Sequence, residues 1–383
     1  MKIQKSCLIT LFCATALFIY AAPKEEKSLG EMYKSGSIQF VPELTIDDTS
    51  MPEDTFFEGV SSIVSDNDGN IYICDYKANN IKKFNTSGKY LKTIGRKGQG
   101  PGEFNMPFEI AVTDDRLIVW DWGNRRLCVL APDGEFIKSV QIFRGEGMPQ
   151  KMRPLTDGNI VIELEKIYYG EQDKPQDSLI EIFSPDLEKK RTLYTQQVWR
   201  NKFMRIESMF TNIIQPFSPL VCWDVSPDGK IVIGYPSEYK IDLYDSERGK
   251  ISSFSHSYDP VKVTDEDKES FFSGMTFSSG GTTTQTVPEP IVKNTEFPKL
   301  KPAFKQILVD SEGNILVWPY RKNREEESRY FDAFSPEGNF IGSVQIRGNS
   351  SFPAGAIIQN GSFWLQKADE EGLIEVVKYR ISE

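Results

Sequence analysis

Apolar and polar residues alternate along the stretch 60–142, and one pattern of four short apolar runs occurs there twice. The runs are rich in Val, Ile, Phe, Tyr and Trp, and a period of two predicts strands rather than helices. Turns with Ser-Gly or Asp-Gly separate them, as at Gly88 and Gly134, because glycine tolerates a positive φ. Asp121 follows Asp75 by 46 positions, and Gly134 follows Gly88 by the same distance. Four antiparallel strands repeated at this spacing predict the blades of a β-propeller.

The pattern continues to the end of the chain, with interruptions. Blade three is predicted over 152–195, blade four from Val221 onward and blade five over 304–346. Blade six shows only three strands, which we place at Ala354–Gln359, Ser362–Gln366 and Leu373–Arg380.

One predicted strand, Ser37–Ile46, has no partner next to it in the sequence. We expect it to supply the missing fourth strand of blade six, so that the two chain ends pair and close the ring. Closure would remove exposed strand edges, which otherwise promote aggregation. The sequence therefore predicts an all-β fold, a six-bladed β-propeller over 37–383 with four antiparallel strands per blade, closed by an N-terminal strand.

Two insertions interrupt the strand rhythm. Residues 198–219 are expected to hold a short helix before Pro216, and residues 256–303 include a Ser/Thr/Gly-rich stretch that we expect to be flexible. A seventh blade would need another repeat within 256–303, and the Pro and Ser/Thr content of that segment does not favour one. Residues 23–36 are charged and small, and they indicate a flexible lead.

The N-terminus has the layout of a secretory signal, predicted over 1–22. MKIQKS is basic, and an apolar run of 16 residues ending in Ala21 and Ala22 follows it. We therefore expect export, to the periplasm, the cell surface or the medium. An uncleaved anchor is the alternative, although the run is shorter than the roughly 18 residues typical of a membrane span. Membrane contact is expected only in that case.

Composition narrows the classes of function. A net charge of −10 and a pI near 5.0 argue against a surface that neutralises phosphates, so nucleic acid is not an expected partner. Beyond the signal, Cys74, Cys128 and Cys222 all lie in apolar runs and are expected to be buried free thiols. Only one histidine, His256, is present in the chain.

Loop lengths predict which face of the propeller binds. Because strands alternate in direction, turns after first and third strands lie on one face, which we call the short-turn face. Turns after second strands and the links between blades lie on the other, the elaborated face, which receives every long insertion. Binding residues concentrate on loops held by a rigid scaffold. The candidate ligand-binding residues all follow second strands: Tyr76, Trp122, Arg125, Tyr168, Tyr169, Tyr235, Tyr320, Arg321 and Arg324.

Aromatic side chains beside arginines suit stacking on sugars or holding a peptide or carboxylate. The alternative is that about half of these residues only cap their own blades. Four other tryptophans lie within the predicted strands and are expected in the core: Trp120, Trp223, Trp318 and Trp364.

Several motifs resemble NHL-repeat propellers. They are Asp-x-x-x-Asn-Asn-Ile from Asp75, Asp-Trp-Gly-Asn-Arg-Arg-Leu from Asp121, and GQGPGEF before blade two. The segments WDVSPDGKIVIGY and FKQILVDSEGNILVW are similar to secreted six-bladed propellers of Bacteroidetes and related bacteria. The resemblance implies the fold but no single activity, because propellers host unrelated functions. It also implies that the repeated Asp and Asn residues hold their turns and are not ligands.

Two main hypotheses of function follow. The first is an exported, non-enzymatic propeller that binds a glycan or a peptide or protein on the elaborated face or at the channel mouth, with no cofactor. The second is a calcium-dependent hydrolase resembling propeller lactonases, which hold the metal with acidic residues around the channel. Glu109 is a candidate ligand, whereas the matching positions provide no obvious acidic set: Ser61, Arg153, Trp223, Gln306 and Gly355. A metal site therefore stays unknown. A third hypothesis, a lyase-like propeller, would require several histidines.

Overall fold

The computed structural model describes residues 27–53, 55–142, 147–168, 174–206, 209–273, 277–279, 282–284, 287–347, 357–359, 362–368 and 372–383. The described chain begins with a short helix and one strand, α1 (Leu29–Lys34) and β1 (Ser37–Ile46). Two four-stranded antiparallel sheets follow, each formed by consecutive strands. Blade one comprises β2 (Val60–Ser65), β3 (Ile71–Asp75), β4 (Asn80–Phe84) and β5 (Tyr90–Ile94). Blade two comprises β6 (Pro107–Val112), β7 (Leu117–Asp121), β8 (Arg126–Leu130) and β9 (Phe136–Gln141).

Blades three and four have the same topology and are separated by a hairpin. Blade three comprises β10 (Met148–Pro154), β11 (Ile160–Lys166), β12 (Gln176–Phe183) and β13 (Lys189–Val198). The hairpin pairs β14 (Asn201–Ile206) with β15 (Met209–Ile214). The prediction of a helix before Pro216 was therefore wrong, because the backbone groups of this insertion pair across a two-stranded ladder. Blade four comprises β16 (Cys222–Val225), β17 (Ile231–Gly234), β18 (Lys240–Asp245) and β19 (Gly249–Ser255).

The insertion 256–303 contains two helices and a short hairpin, and none of these elements joins a blade. They are α2 (Asp265–Ser273), β20 (Phe277–Ser279), β21 (Thr282–Thr284) and α3 (Glu289–Asn294). Blade five comprises β22 (Phe304–Val309), β23 (Ile315–Pro319), β24 (Tyr330–Phe334) and β25 (Phe340–Arg347), with α4 (Arg324–Arg329) between its second and third strands. Blade six contributes β26 (Ile357–Gln359), β27 (Ser362–Ala368) and β28 (Ile374–Ser382).

Strand β1 occupies the outer edge of blade six. It pairs antiparallel with β28, with Gln39 opposite Ser382 and Ile46 opposite Val376, and its first three residues also pair in parallel with β25. Blades five and six are thereby joined in one eight-stranded sheet. The fourth strand of blade six thus comes from the N-terminal segment, as the sequence analysis expected. That this strand holds the ring closed remains a prediction.

Part of the segment predicted as a flexible lead is instead structured. Ser28 caps α1, and the side chain of Glu312 accepts hydrogen bonds from the first backbone amides of the helix. Tyr33 is fully buried, and its hydroxyl donates to Asp310 Oδ2 at 2.9 Å. The prediction of flexibility failed for 29–34 because one aromatic anchor and a carboxylate cap fix this helix on blade five.

Each blade is buried on both of its faces. Six apolar clusters lie between successive blades, and the sixth places Trp364 of blade six against Ile63 and Phe84 of blade one. First strands of neighbouring blades also lie side by side, with β2 between β26 and β6. The four strand tryptophans are almost fully buried, which confirms their predicted place in the core. The sheets are therefore arranged radially around a channel lined by the first strands.

Candidate functional site

Three exposed apolar side chains lie on the elaborated face of blade two. Met106, Phe108 and Trp122 retain 40%, 48% and 45% of their accessible surface. Tyr76 is half-buried, and its ring centroid lies 6.4 Å from that of Phe108. Pro107 pairs with Asp121, so Met106 and Trp122 extend from the same end of this strand pair. We call the four side chains Tyr76, Met106, Phe108 and Trp122 the apolar ledge.

Arg125 lies at the edge of the apolar ledge, on the turn that begins with Trp122. Its backbone amide donates to Trp122 O at 3.2 Å, and its side chain is exposed. Of the residues predicted from the sequence, the structure thus brings Tyr76, Trp122 and Arg125 into one region. Sequence reasoning missed Met106 and Phe108, because only residues after second strands were considered.

Phe108 is exposed because of a β-bulge. The register shifts between Pro107 and Glu109, which leaves Phe108 as the extra residue of β6. A bulge directs its extra side chain away from the alternation of the strand. The first strands of blades one, three and five have a bulge at the same place, and their extra residues are Ser61, Gln150 and Lys305. Among these four blades, only blade two places an aromatic ring there.

A buried ion pair supports the apolar ledge from below. Asp121, which is fully buried, accepts hydrogen bonds from Arg126 Nε at 3.0 Å, Asn124 Nδ2 at 2.8 Å and Asn105 N at 2.7 Å. Arg126 in turn donates to the carbonyl oxygens of residues 99, 100 and 103. Hydrogen bonds to charged groups are stronger than neutral ones. The Gly-rich link 95–106 is therefore fixed in place and carries Met106 to the surface.

Close packing within the link also requires a glycine after Trp122. Gly123 donates its amide to Asn105 O at 2.8 Å, and a Cβ atom at this position would lie only 2.6 Å from that oxygen. Any larger residue would push the link away from the turn. The turn of Trp122 and the link of Met106 are thus held together by backbone contact.

Blade one repeats this support. Asp75 is fully buried, forms an ion pair with Lys82 at 2.8 Å and accepts hydrogen bonds from the amides of Glu58, Gly59 and Ala78. The amide of Met106 donates to Asn79 Oδ1 at 2.8 Å, which links the two blades. The repeated Asp and Asn residues therefore hold turns and links, as the NHL resemblance implied.

Strained backbone accumulates around the apolar ledge. Five described residues other than glycine have a positive φ, and three of them border it, namely Asn79 at 59°, Met106 at 54° and Arg125 at 53°. The left-handed region is unfavourable for Met and Arg, and such strain clusters at functional sites. The folded chain therefore maintains a conformation here that local preferences oppose.

The other predicted residues have partners within their own blades or insertions. The Tyr168 ring lies 3.7 Å from Lys174 Nζ, and its hydroxyl donates to Asp177. Tyr235 packs partly into the core between blades three and four. Arg321 Nη2 contacts Asp332 and Ser343, and its guanidinium stacks on Tyr330. Tyr169 and the side chain of Arg324 lie outside the described residues.

Tyr320 is covered by two insertions. Phe217, from the link 198–219, packs edge-on at 6.0 Å, and Lys301 Nζ lies 5.5 Å from the ring. Lys301 is itself buried and pairs with Asp267 Oδ1 at 3.0 Å, while Glu327 Oε2 lies 3.6 Å away. Burial raises the pKa of the Tyr320 hydroxyl. We call Phe217, Asp267, Lys301, Tyr320 and Glu327 the covering cluster.

The channel opens on the short-turn face into a cavity of about 700 Å³. Its wall consists of the ends of first strands and the turns that follow them, including Asn67, Asp114, Asp157 and Ser226, with Arg153 and Asp224 also lining it. The sequence analysis placed a ligand on the elaborated face or at the channel mouth, and this cavity lies at a channel mouth opposite the apolar ledge.

The residues in the channel do not fit a calcium site. Glu109 Oε1 lies 3.5 Å from Arg153 Nη1 and accepts the Met152 amide, so the carboxylate faces a cation. Burial raises the pKa of Glu109, with Arg153 opposing that shift. Within the described ranges, no three His, Cys, Asp or Glu side chains are grouped closely enough to hold a metal. Gly355 lies outside those ranges.

The cysteine thiols and His256 are not placed to act as a nucleophile and its base. Cys74 and Cys128 are buried as expected, whereas Cys222 is only partly buried. Desolvation raises the pKa of each of the three thiols to about 12, and a reactive cysteine requires an accessible thiolate. His256 stacks on Phe340 with ring centroids 4.4 Å apart and also contacts Tyr239. Its ring therefore packs between the outer strands of blades four and five.

Comparison with known proteins decides the fold. A family model described as a 6-bladed β-propeller, DUF5128, matches residues 50–112. The chain has the fold of a six-bladed β-propeller. Among solved structures, a member of the DUF4221 family from Bacteroides vulgatus is similar with a TM-score of 0.53 and 12% identity, covering 91% of this chain and 99% of that one. An exported-protein candidate from Bacteroides fragilis has a TM-score of 0.51 and 13% identity, covering 91% and 95%.

These similarities establish the architecture alone. A virginiamycin B lyase from Staphylococcus aureus is more distant, with a TM-score of 0.43, 13% identity and coverage of 90% and 98%, and it carries no argument about activity. No curated protein matches the chain by sequence. None of the described helices is long and apolar enough to cross a membrane.

Proposed function

We propose that this chain is an exported binding propeller that holds a glycan or a peptide on the apolar ledge. One observation carries the proposal: Met106, Phe108 and Trp122 stay exposed at the same end of one strand pair, on a hydrogen-bonded base. Exposed apolar groups that cluster on a surface mark interaction sites, whereas scattered ones need no explanation. Export is supported by the basic start and the apolar run at the N-terminus.

The chemistry of the apolar ledge fits both ligand classes. Aromatic rings with one polar edge stack on the apolar faces of sugars and on peptide side chains. Arg125 adds a planar cation that can hold a carboxylate or hydroxyl group. Because the supporting link is fixed before the ligand arrives, little ordering entropy opposes binding.

The test is a glycan array and a peptide array probed with the purified mature chain. The double variant Trp122→Ala with Arg125→Ala should lose binding and keep its fold. Trp199→Ala is the matched control, because Trp199 is a tryptophan of similar exposure, 40%, located after blade three. The array that responds identifies the ligand class. Binding that survives in the double variant would disprove the proposed site.

The hydrolase alternative is tested in parallel. The mature chain is assayed against lactones and aryl esters with and without added calcium. Calcium-dependent turnover that disappears in Glu109→Gln would overturn the binding proposal. We expect no such turnover, because Glu109 already faces Arg153.

A further inference from the structure

The cavity on the short-turn face is separate from the apolar ledge. Arg153 lies at its inner end and is 9% exposed. The guanidinium is fixed on two sides, since Nε donates to Asp224 Oδ1 at 3.2 Å and Nη1 donates to Met152 O at 2.8 Å. Glu109 Oε1 lies 3.5 Å from Nη1. A guanidinium held this way cannot swing away from the channel.

One nitrogen of Arg153 remains available. Nη2 makes no hydrogen bond with any described residue, and it is not among the fully occluded polar atoms. The remaining exposed surface of Arg153 faces the cavity. The N–H groups of Nη2 are therefore open to the cavity, where a ligand carboxylate can accept charge-assisted hydrogen bonds from them.

The second oxygen of Asp224 is already engaged. Asp224 Oδ2 accepts the amide of Val309 at 3.0 Å, and Lys151 Nζ lies 3.5 Å from Oδ1. Arg153 and Lys151 lie beside the carboxylates of Asp224 and Glu109, and the charge of Glu163 also acts on Lys151. Both oxygens of Asp224 thus have partners, and Arg153 Nη2 is left as the donor for one ligand carboxylate.

The rim of the cavity has the opposite character. Asp114 and Asp157 are exposed along it, Asp115 is paired with Arg116 Nη1 at 2.8 Å, and no lysine or arginine other than Arg153 is among the described residues that line the cavity. A multiply charged anion such as phosphate would meet these carboxylates and be repelled. A ligand with a positive group at its outer end would instead gain attraction at both ends.

We propose that this cavity binds a small zwitterion, a free amino acid or short peptide, with its carboxylate on Arg153 and its protonated amine among the rim carboxylates. The volume is adequate, since cavities of roughly 300–1,000 Å³ hold small organic ligands. The walls between the two charged ends include Val112, Leu155 and Val225, which provide apolar contact for a side chain.

Titration calorimetry on the mature chain tests this site. The probes are the dipeptides Gly-Gly, Ala-Leu, Gly-Lys and Gly-Glu, each also as its C-terminal amide and its N-acetyl form. We expect at least one free dipeptide to bind saturably, and its amide and N-acetyl forms to bind at least about tenfold more weakly. Equal binding of the free and amidated forms would overturn the proposal. So would a lack of binding by every free dipeptide at about 10 mM, well above the Kd typical of weak sites.

Variants localise the effect. Arg153→Lys keeps the charge beside Asp224 but removes the planar fork, and it should weaken binding at least about tenfold. Asp114→Asn with Asp157→Asn should weaken the free dipeptide and leave its N-acetyl form unchanged. Trp199→Ala is the matched control and should bind the dipeptide normally, because Trp199 is exposed and lies outside both the apolar ledge and the lining of the cavity. If Arg153→Lys does not fold, the comparison of free and amidated dipeptides on the unaltered chain still tests whether the site binds the ligand carboxylate.

Discussion

Trp122 of blade two and Tyr320 of blade five hold equivalent positions after a second strand, but they differ in exposure to solvent. On blades one and two, a buried Asp holds each link, and Trp122 is left 45% exposed. On blade five, the corresponding Tyr320 is covered by Phe217 and Lys301 from two long insertions. The two longest insertions, 198–219 and 256–303, therefore cover Tyr320, whereas the hydrogen-bonded link 95–106 leaves Trp122 accessible.

Removing β1 should have the largest effect, because both regions depend on an intact ring. Deletion of 27–46 withdraws Ile38, Phe40 and Ile46 from the core. At about 1.5–3 kcal/mol for each buried side chain, the free energy of unfolding should fall by about 5 kcal/mol or more. Chemical denaturation measures this loss. Glu43→Gln on the same strand, which alters only the partly exposed pair with Lys378, is the control. An unchanged midpoint after the deletion would refute closure by β1.

Asp121→Ala should damage the apolar ledge more than any change on its surface. The variant leaves the buried Arg126 without its carboxylate, and loss of one partner of a buried pair typically costs about 3–5 kcal/mol. Denaturation and ligand binding should both decline. Asp115→Ala is the matched control, because Asp115 is 67% exposed in its pair with Arg116 and surface pairs contribute about 0–1 kcal/mol. Similar losses in the two variants would contradict the supporting role of Asp121.

Lys301→Met should open the covering cluster. Asp267 would lose its buried cation, although it keeps hydrogen bonds from the amide and hydroxyl of Thr264. We therefore expect a loss of about 3 kcal/mol, at the lower end for a buried pair. Tyr320 should be oxidised faster by hydroxyl radicals in solution, and mass spectrometry measures this rate. Lys268→Met, which removes an exposed partner of Asp265 on the same insertion, should change neither property. An unchanged Tyr320 in Lys301→Met would mean that the insertions are not what covers it.

Low pH should weaken the hydrogen bond between Glu103 and the Gly100 amide in the link 95–106, and we expect this to be the smallest of the four effects. The Gly100 amide, followed by Arg96, lowers the pKa of Glu103. A lowered folded-state pKa contributes stability above the unfolded-state pKa, and this stability is lost as pH falls through the folded-state value. Hydrogen exchange of the Gly100 amide should therefore accelerate, relative to amides of the blade core, at acid pH. Glu103→Gln should remove that dependence. The same pH profile in the variant would exclude Glu103 as its cause.

The blades could be predicted because the same strands and turns repeat at a fixed spacing in the sequence. Gly88 and Gly134 repeat at turns that need a positive φ, and Asp75 and Asp121 repeat at links that need a buried acceptor. Trp122 and Arg125 could be predicted from their position after a second strand. The exposure of Phe108 could not be predicted, because it results from a β-bulge. The alternation of apolar and polar residues does not indicate where a bulge occurs.

The sequence also contains no sign that other candidate residues, such as Tyr320, would be covered. Tyr320 has the same position in its blade as Trp122, and only the contacts of Phe217 and Lys301 separate the two. These contacts join segments far apart in the chain, so no local pattern indicates them. The helix at 29–34 was missed for the same reason, since Tyr33 is anchored by the distant Asp310.

Hydroxyl-radical footprinting, read by mass spectrometry, tests the central claim most directly. In the free protein, Met106, Phe108 and Trp122 should be oxidised rapidly, while Tyr320 reacts slowly. Addition of the ligand identified by the arrays should protect the first three and leave Tyr320 unchanged. Protection at Tyr320, or ligand binding that leaves Trp122 and Met106 fully reactive, would contradict the assignment of the apolar ledge as the binding surface.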